Sequence, residues 1–125
     1  MSNYVFVYGT LMSSRTNHCF LGSSRLISAG TVESLAMYDV TPYYPGVVEE
    51  EGSFVRGEVY EVSGKTMRSL DRLEGNGYMY LREMFPVRLG DGSSVEAWVY
   101  VWRHGLTGPK VPLEAQPWRE CVGCS

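Results

Sequence analysis

The chain has 125 residues, of which 44% are hydrophobic and 20% charged, with a formal net charge of -3; this is the profile of one soluble globular domain over residues 1–125, with no room for a second. At this length roughly two-thirds of the unfolded surface can be hidden, so a core can form without metals or disulfides. An acidic balance of 14 Asp+Glu against 11 Lys+Arg, with no basic run, excludes the electrostatic footprint of a nucleic-acid binder. The lack of any apolar stretch near 18 to 20 residues, and of a signal-peptide pattern, predicts a cytoplasmic protein without membrane contact.

Fourteen glycines and nine tyrosines, set among short β-branched and aromatic runs, predict a sheet-dominated fold with few helices. Tyr4 to Tyr8 (YVFVY) is an apolar run of buried-strand length that stops at Gly9. Arg25 to Val40 reads as two strands bent or bulged at Gly30, with Pro42 and Pro45 closing the segment. Gly46 to Glu50 reads as a short strand, the acidic triplet Glu49, Glu50 and Glu51 as a solvated turn, and Arg56 to Val62 as a further strand.

Ser63 is an expected N-cap for a helix from Lys65 to Glu74, on which Met67, Leu70 and Leu73 recur at helical spacing until Gly75 ends the run. With Met67 at zero on a wheel of about 100° per residue, Glu74 falls at about 340°, on the apolar stripe. Read from the wheel alone, Glu74 either faces the core, where burial and the helix dipole would raise its pKa, or bends outward into solvent. Asp71, at the margin of the stripe, and Arg68 and Arg72 are expected at the surface.

Tyr78 to Leu89 and Ser94 to Trp102 read as a hairpin around Gly90-Asp91-Gly92. A three-residue loop with Gly92 left-handed sets Val87 opposite Val95 and Phe85 opposite Ala97 on one face. It sets Tyr80 by Trp102, Arg82 by Tyr100 and Met84 by Trp98 on the other. A two-residue loop would mix the faces, so the pattern favours three. A face of Tyr, Trp and Arg is too apolar for open water and too polar for a dry core, which suggests a partly wet cavity with Tyr100 on its wall. The competing reading is an aromatic face covered by the C-terminal segment, where Trp118 can pack.

The three cysteines, Cys19, Cys121 and Cys124, imply no disulfide framework. The CVGC tail has the spacing of half a metal site without the other half, and reads as an inert chain end within a C-terminal extension, residues 106–125, expected to be partly disordered. Cys19, in the apolar run CFL, reads as buried and inert. His18 and His104 lie in no nucleophile–base–acid pattern, so a Ser-His or Cys-His triad is not expected.

Tyr8-Gly9-Thr10-Leu11 after the first strand, then Leu70-Asp71-Arg72-Leu73-Glu74-Gly75 and Tyr80-Leu81-Arg82, resembles the small single-domain members of the gamma-glutamylcyclotransferase-like family. Pro45-Gly46 falls where that family has a proline-containing loop, and Arg56-Gly57-Glu58-Val59-Tyr60 is similar to its G-E-V-Y strand. The resemblance runs from about Tyr4 to Trp102. It implies an α+β fold, a small mixed β-barrel with a few short flanking helices, and a pocket where the loop after the first strand meets the acidic helix end.

It further implies a reaction in which the α-amine of a γ-glutamyl amide attacks its own γ-carbonyl, giving 5-oxoproline and a released amine or amino acid, with no metal and no cofactor. Glu74 would be the general acid and base, and the Tyr80 hydroxyl would lie near the reacting centre. Backbone N–H groups of Tyr8, Gly9, Thr10 and Leu11, in a turn opened by the conformational freedom of Gly9, would hold the glutamyl end. Arg82 matches the family's Y-x-R pattern, either as a substrate contact or as a cross-strand partner stacked on Tyr100. The glutathione-acting branch is longer than this chain, and the leaving amine stays open. A non-catalytic small-molecule binding module using the same pocket is the alternative.

Overall fold

A computed structural model describes residues 3–9, 11–12, 18–22, 24–41, 44–106 and 108–116. Its strands are β1 (Asn3–Val7), β2 (Arg25–Thr41), β3 (Tyr44–Val62), β4 (Tyr80–Leu89), β5 (Ser94–Trp102) and β6 (Lys110–Val111); helix α1 is Gly64–Glu74, and 3-10 turns cover His18–Leu21 and Leu113–Ala115. The sheet order is β3-β1-β5-β4-β2-β6, and β2 also pairs with β3. That last pairing closes five strands into a mixed barrel, with β1 and β5 parallel and β6 attached outside to β2. The architecture is the small mixed barrel expected. Closure leaves little room between walls: a Cβ on Gly30 would lie 2.6 Å from Val87 Cγ1, and one on Gly57 would lie 2.2 Å from the Val7 carbonyl oxygen. Glycine at these strand positions lets the walls approach.

Three sequence expectations about these strands are corrected. Arg25 to Val40 does not divide at Gly30; β2 is one strand whose register shifts fall at Leu26/Ser28, Glu33/Leu35 and Asp39/Thr41. The strain sits at Ser34, with φ of 64°. Likewise Gly46 to Glu50 and Arg56 to Val62 are one strand, β3, and Pro45 lies within it opposite Asp39 rather than closing anything. The acidic triplet is not a turn between strands. The pairing jumps from Glu33–Phe54 to Leu35–Glu49, so the residues between Glu49 and Phe54 bulge out of a continuous ladder. Glu50 is held in that bulge by Ser53 Oγ at 2.6 Å, Tyr38 Oη at 2.8 Å and the Lys110 ammonium.

The hairpin of β4 and β5 has the three-residue loop: Tyr80 pairs with Trp102, Arg82 with Tyr100 and Val87 with Val95, and Gly92 has φ of 90°. β4 begins at Tyr80 rather than Tyr78, because a turn from Gly75 still occupies Tyr78 and Met79. Val87, Ala97 and Val99 are fully buried on the valine face. Pro42, Trp118, Cys121 and Cys124 lie outside the described residues, as does the side chain of Cys19. Gln116, in the C-terminal segment, is fixed against β3 and β6: its Oε1 accepts from the Arg56 N–H at 2.7 Å while Nε2 donates to the carbonyls of Val111 and Phe54. No helix among the described residues is long and apolar enough to cross a membrane.

Candidate active site

Helix α1 starts where Ser63 Oγ accepts from the Thr66 N–H and ends at Gly75, in the left-handed region at φ 60° and ψ 49°. Met67 and Leu70 bury its inner face. Glu74, its last residue, is half-buried at the edge of that face, withdrawn in part from water rather than turned fully outward. Loss of water raises its carboxyl from 4.5 to about 7, since burial penalises the charged form.

Two phenols, Tyr8 and Tyr100, lie close enough to feel the charge of this carboxyl. Tyr8, just beyond β1, donates to the Tyr100 carbonyl at 2.6 Å and accepts from the Val47 N–H. Its pKa is pushed well above the ordinary value, first by burial and then by the charges of Tyr80 and Glu74. Tyr100 donates to Asp71 Oδ1 at 2.8 Å; burial, then that bond, then the charge of Asp71 raise its pKa, with Glu74 adding to the rise and Arg82 opposing it. Tyr80 donates to the Pro45 carbonyl at 2.8 Å, and Trp102 meets its ring edge-on at 5.1 Å.

The loop after β1 closes as a turn, with the Met12 N–H donating to the Gly9 carbonyl at 3.1 Å. Gly9 does not have a positive φ. Its missing side chain matters for a different reason from the one expected: a Cβ there would lie 2.9 Å from both Cδ and Cγ of Pro45. Leu11 is buried, and its carbonyl accepts from His18 Nδ1 at 3.0 Å. Thr10 lies outside the described residues.

The structure thus gathers Tyr8, Gly9, Glu74, Tyr80, Arg82 and Tyr100, linked through Pro45 and Asp71. The aromatic face is graded, with Tyr80 and Tyr100 buried at one end and Met84 47% exposed at the other. Arg82 stands opposite Tyr100 in the ladder, but its guanidinium lies over the Trp98 ring, 4.4 Å from the centroid, and Nε is 3.1 Å from Asp71 Oδ1. The Nε–H points off that line and makes no hydrogen bond, so the contact is an ion pair. Arg68 and Arg72 are exposed, as expected, whereas Asp71 is half-buried, with 24% of its side chain exposed. Its place one helical turn before Glu74 was visible in the sequence, whereas its meeting with Arg82 and Tyr100 was not. No cluster of three or more His, Cys, Asp and Glu suited to a metal occurs among the described residues.

The closed mixed barrel is the fold of gamma-glutamylcyclotransferase-like proteins. The same fold occurs in a structure of a gamma-glutamyl cyclotransferase, 19% identical, with TM-score 0.72 over 90% of this chain and 73% of that one. An AIG2-like protein of Mus musculus aligns with TM-score 0.75 and 28% identity over 86% of this chain and 80% of its own. The family model described as gamma-glutamyl cyclotransferase, AIG2-like matches residues 5–120, and the chain belongs to that family. A protein of Methanocaldococcus jannaschii assigned as a gamma-glutamylcyclotransferase is 44% identical over 103 residues, 79% of this chain and 83% of that protein. A gamma-glutamylcyclotransferase family protein of Escherichia coli K12 is 30% identical over 114 residues, 91% of this chain and 94% of its own length.

Proposed function

We propose that this chain is a cyclotransferase that cleaves a γ-glutamyl amide by attack of the α-amine on the γ-carbonyl, releasing 5-oxoproline and the amine. The observation that carries this reading is the family match over residues 5–120, and it is supported by the place of Glu74 at the end of α1, where burial pushes its carboxyl up to about 7. A proton carrier works best when its pKa lies near the working pH.

In this scheme the ionised Glu74 takes a proton from the substrate α-ammonium. The freed nitrogen lone pair attacks the γ-carbonyl carbon, and a new C–N bond closes the five-membered ring. Glu74 then returns its proton to the amide nitrogen as the old C–N bond breaks, and carries the second proton of the ring nitrogen to the released amine, so 5-oxoproline keeps one N–H, the amine departs as its ammonium and the enzyme ends as it began. Because nucleophile and electrophile belong to one molecule, the site needs only to hold the folded conformer, and proximity alone offsets much of the barrier. The turn of Tyr8, Gly9, Thr10 and Leu11 is assigned the glutamyl end through its backbone N–H groups. Pro45, pinned by Tyr80 and pressed on Gly9, forms the wall that keeps this turn in place. One proton carrier completes the chemistry, so the scheme requires neither metal nor cofactor.

The test is incubation of the protein with a panel of γ-glutamyl amides whose leaving groups are amino acids, the lysine side chain, polyamines and simple amines, with release of 5-oxoproline as the readout. Turnover of one member supports the reading. Saturable binding across the panel with no product would replace it with a binding module.

A further inference from the structure

Three contacts close a circuit around the end of α1. The Asn76 N–H donates to the Asp71 backbone carbonyl at 2.9 Å. Asn76 Oδ1 accepts from the Arg82 N–H at 2.9 Å. The Arg82 guanidinium returns to the Asp71 carboxylate, Nε to Oδ1, at 3.1 Å. Glu74 and Gly75 lie inside this circuit. The circuit is anchored outward twice, by Tyr100 Oη on the same Asp71 oxygen at 2.8 Å and by the Trp98 ring beneath the guanidinium at 4.4 Å. The Asp71 and Arg82 side chains keep only 24% and 22% of their exposure, so the pair is little screened.

Glu74 needs such support. It occupies the last helical position, where backbone carbonyls lack helical partners and the chain frays most easily. A flexible carboxyl that loses water on burial is drawn back toward solvent whenever the backbone loosens. The dipole at this helix end also opposes its negative charge. The titratable and charged groups facing it are the phenols of Tyr8 from the end of β1 and Tyr100 from β5. Tyr80 of β4 acts in turn on Tyr8, and Arg82 of β4 and Asp71 of the same helix act on Tyr100.

We infer that Asp71, Asn76 and Arg82 form a positioning frame that keeps the Glu74 carboxyl in its buried place, and that Arg82 serves this frame rather than binding a substrate carboxylate. The guanidinium has one face on Trp98 and its charge on Asp71, so it is engaged on both sides before any ligand arrives. The catalytic consequence rests on the proposed role of Glu74. The ionisation of Glu74 in the free protein does not, and it supplies a readout independent of turnover.

The experiment follows the carboxyl carbon shift of Glu74 against pH in the full chain without substrate, together with kcat and KM. Asn76→Ala removes the acceptor without changing charge. It is expected to move the Glu74 titration down by about one pH unit or more as water reaches it, and to lower kcat at least tenfold with KM within about threefold. Asp71→Asn gives the same direction and replaces Asn76→Ala should that variant not fold. Asn76→Asp, which keeps the acceptor, is expected to recover most of kcat. An unchanged titration in a folded Asn76→Ala or Asp71→Asn overturns the frame. A rise in KM of thirtyfold or more in Arg82→Met, with kcat and the titration unchanged, overturns the assignment of Arg82. If the wild-type chain releases no 5-oxoproline, the proposed reaction fails while the titration still decides the frame.

Discussion

The hydroxyl of Tyr80 is bound to the carbonyl of Pro45 across 2.8 Å, a buried contact between residues 35 positions apart. Through it the first residue of β4 holds the proline whose ring presses on Gly9, so the two ends of the candidate site share one wall. The phenol proton is directed at Pro45 and is not available as a ready acid. Tyr80→Phe is therefore expected to cost roughly 1–2 kcal/mol of stability, from the carbonyl left without its partner, and to reduce kcat far less than loss of Glu74. Denaturant midpoints and 5-oxoproline rates measured on the same samples decide this. A loss of kcat as large as that of the Glu74 variant would return Tyr80 to the chemistry.

Glu74→Gln keeps size and hydrogen-bonding reach but accepts no proton. Turnover is expected to fall by about 10² to 10⁴ while a non-reactive γ-glutamyl analogue binds as before. Near-normal 5-oxoproline release would assign the proton to another group.

The same carboxyl makes stability depend on pH. It is 4.5 in the open and about 7 when buried, so between these values the native state holds a proton that the unfolded chain has lost. Stability should therefore fall as pH rises across that window and level off above it. The full effect is on the order of 3 kcal/mol. Glu74→Gln abolishes this slope, which makes the variant the more stable of the two at pH 8 and nearly equal at pH 4. Urea denaturation of both proteins at the two pH values checks it; a wild-type excess at pH 8 would mean that the carboxylate stabilises the fold.

Gly9→Val places a branched side chain where a Cβ would already stand 2.9 Å from two Pro45 ring atoms. Overpacking of this kind costs about 1–3 kcal/mol, which a barrel of this size can survive. Displacement of Pro45 should abolish binding of glutamate-like ligands in the folded variant. Unaltered affinity by calorimetry would take the loop out of the site.

Gln116 is a buried polar side chain, 6% exposed, that satisfies the Arg56 N–H and donates to two carbonyls. Gln116→Ala leaves these groups unpaired and is expected to lower the unfolding free energy by roughly 2 kcal/mol, with kcat unchanged. A shift below about 0.5 kcal/mol would show that water replaces the side chain without penalty.

What was legible in the sequence was written in neighbouring residues. The cap at Ser63, the stripe of Met67, Leu70 and Leu73 and the stop at Gly75 define α1 because each acts within a turn or two of chain. The register that sets Arg82 opposite Tyr100 follows from a three-residue loop and the alternation of two adjacent strands, which are also local. The motifs around Tyr8, Glu74 and Tyr80 pointed to the family. Tertiary structure alone decided that β2 runs unbroken past Gly30, that Gly9 is needed for room beside Pro45, and that Asp71 turns inward to Arg82 and Tyr100. Each depends on which distant segments meet when five strands close on themselves. No periodicity records such a meeting, because the groups that determine it lie tens of residues apart and interact only after the barrel has formed.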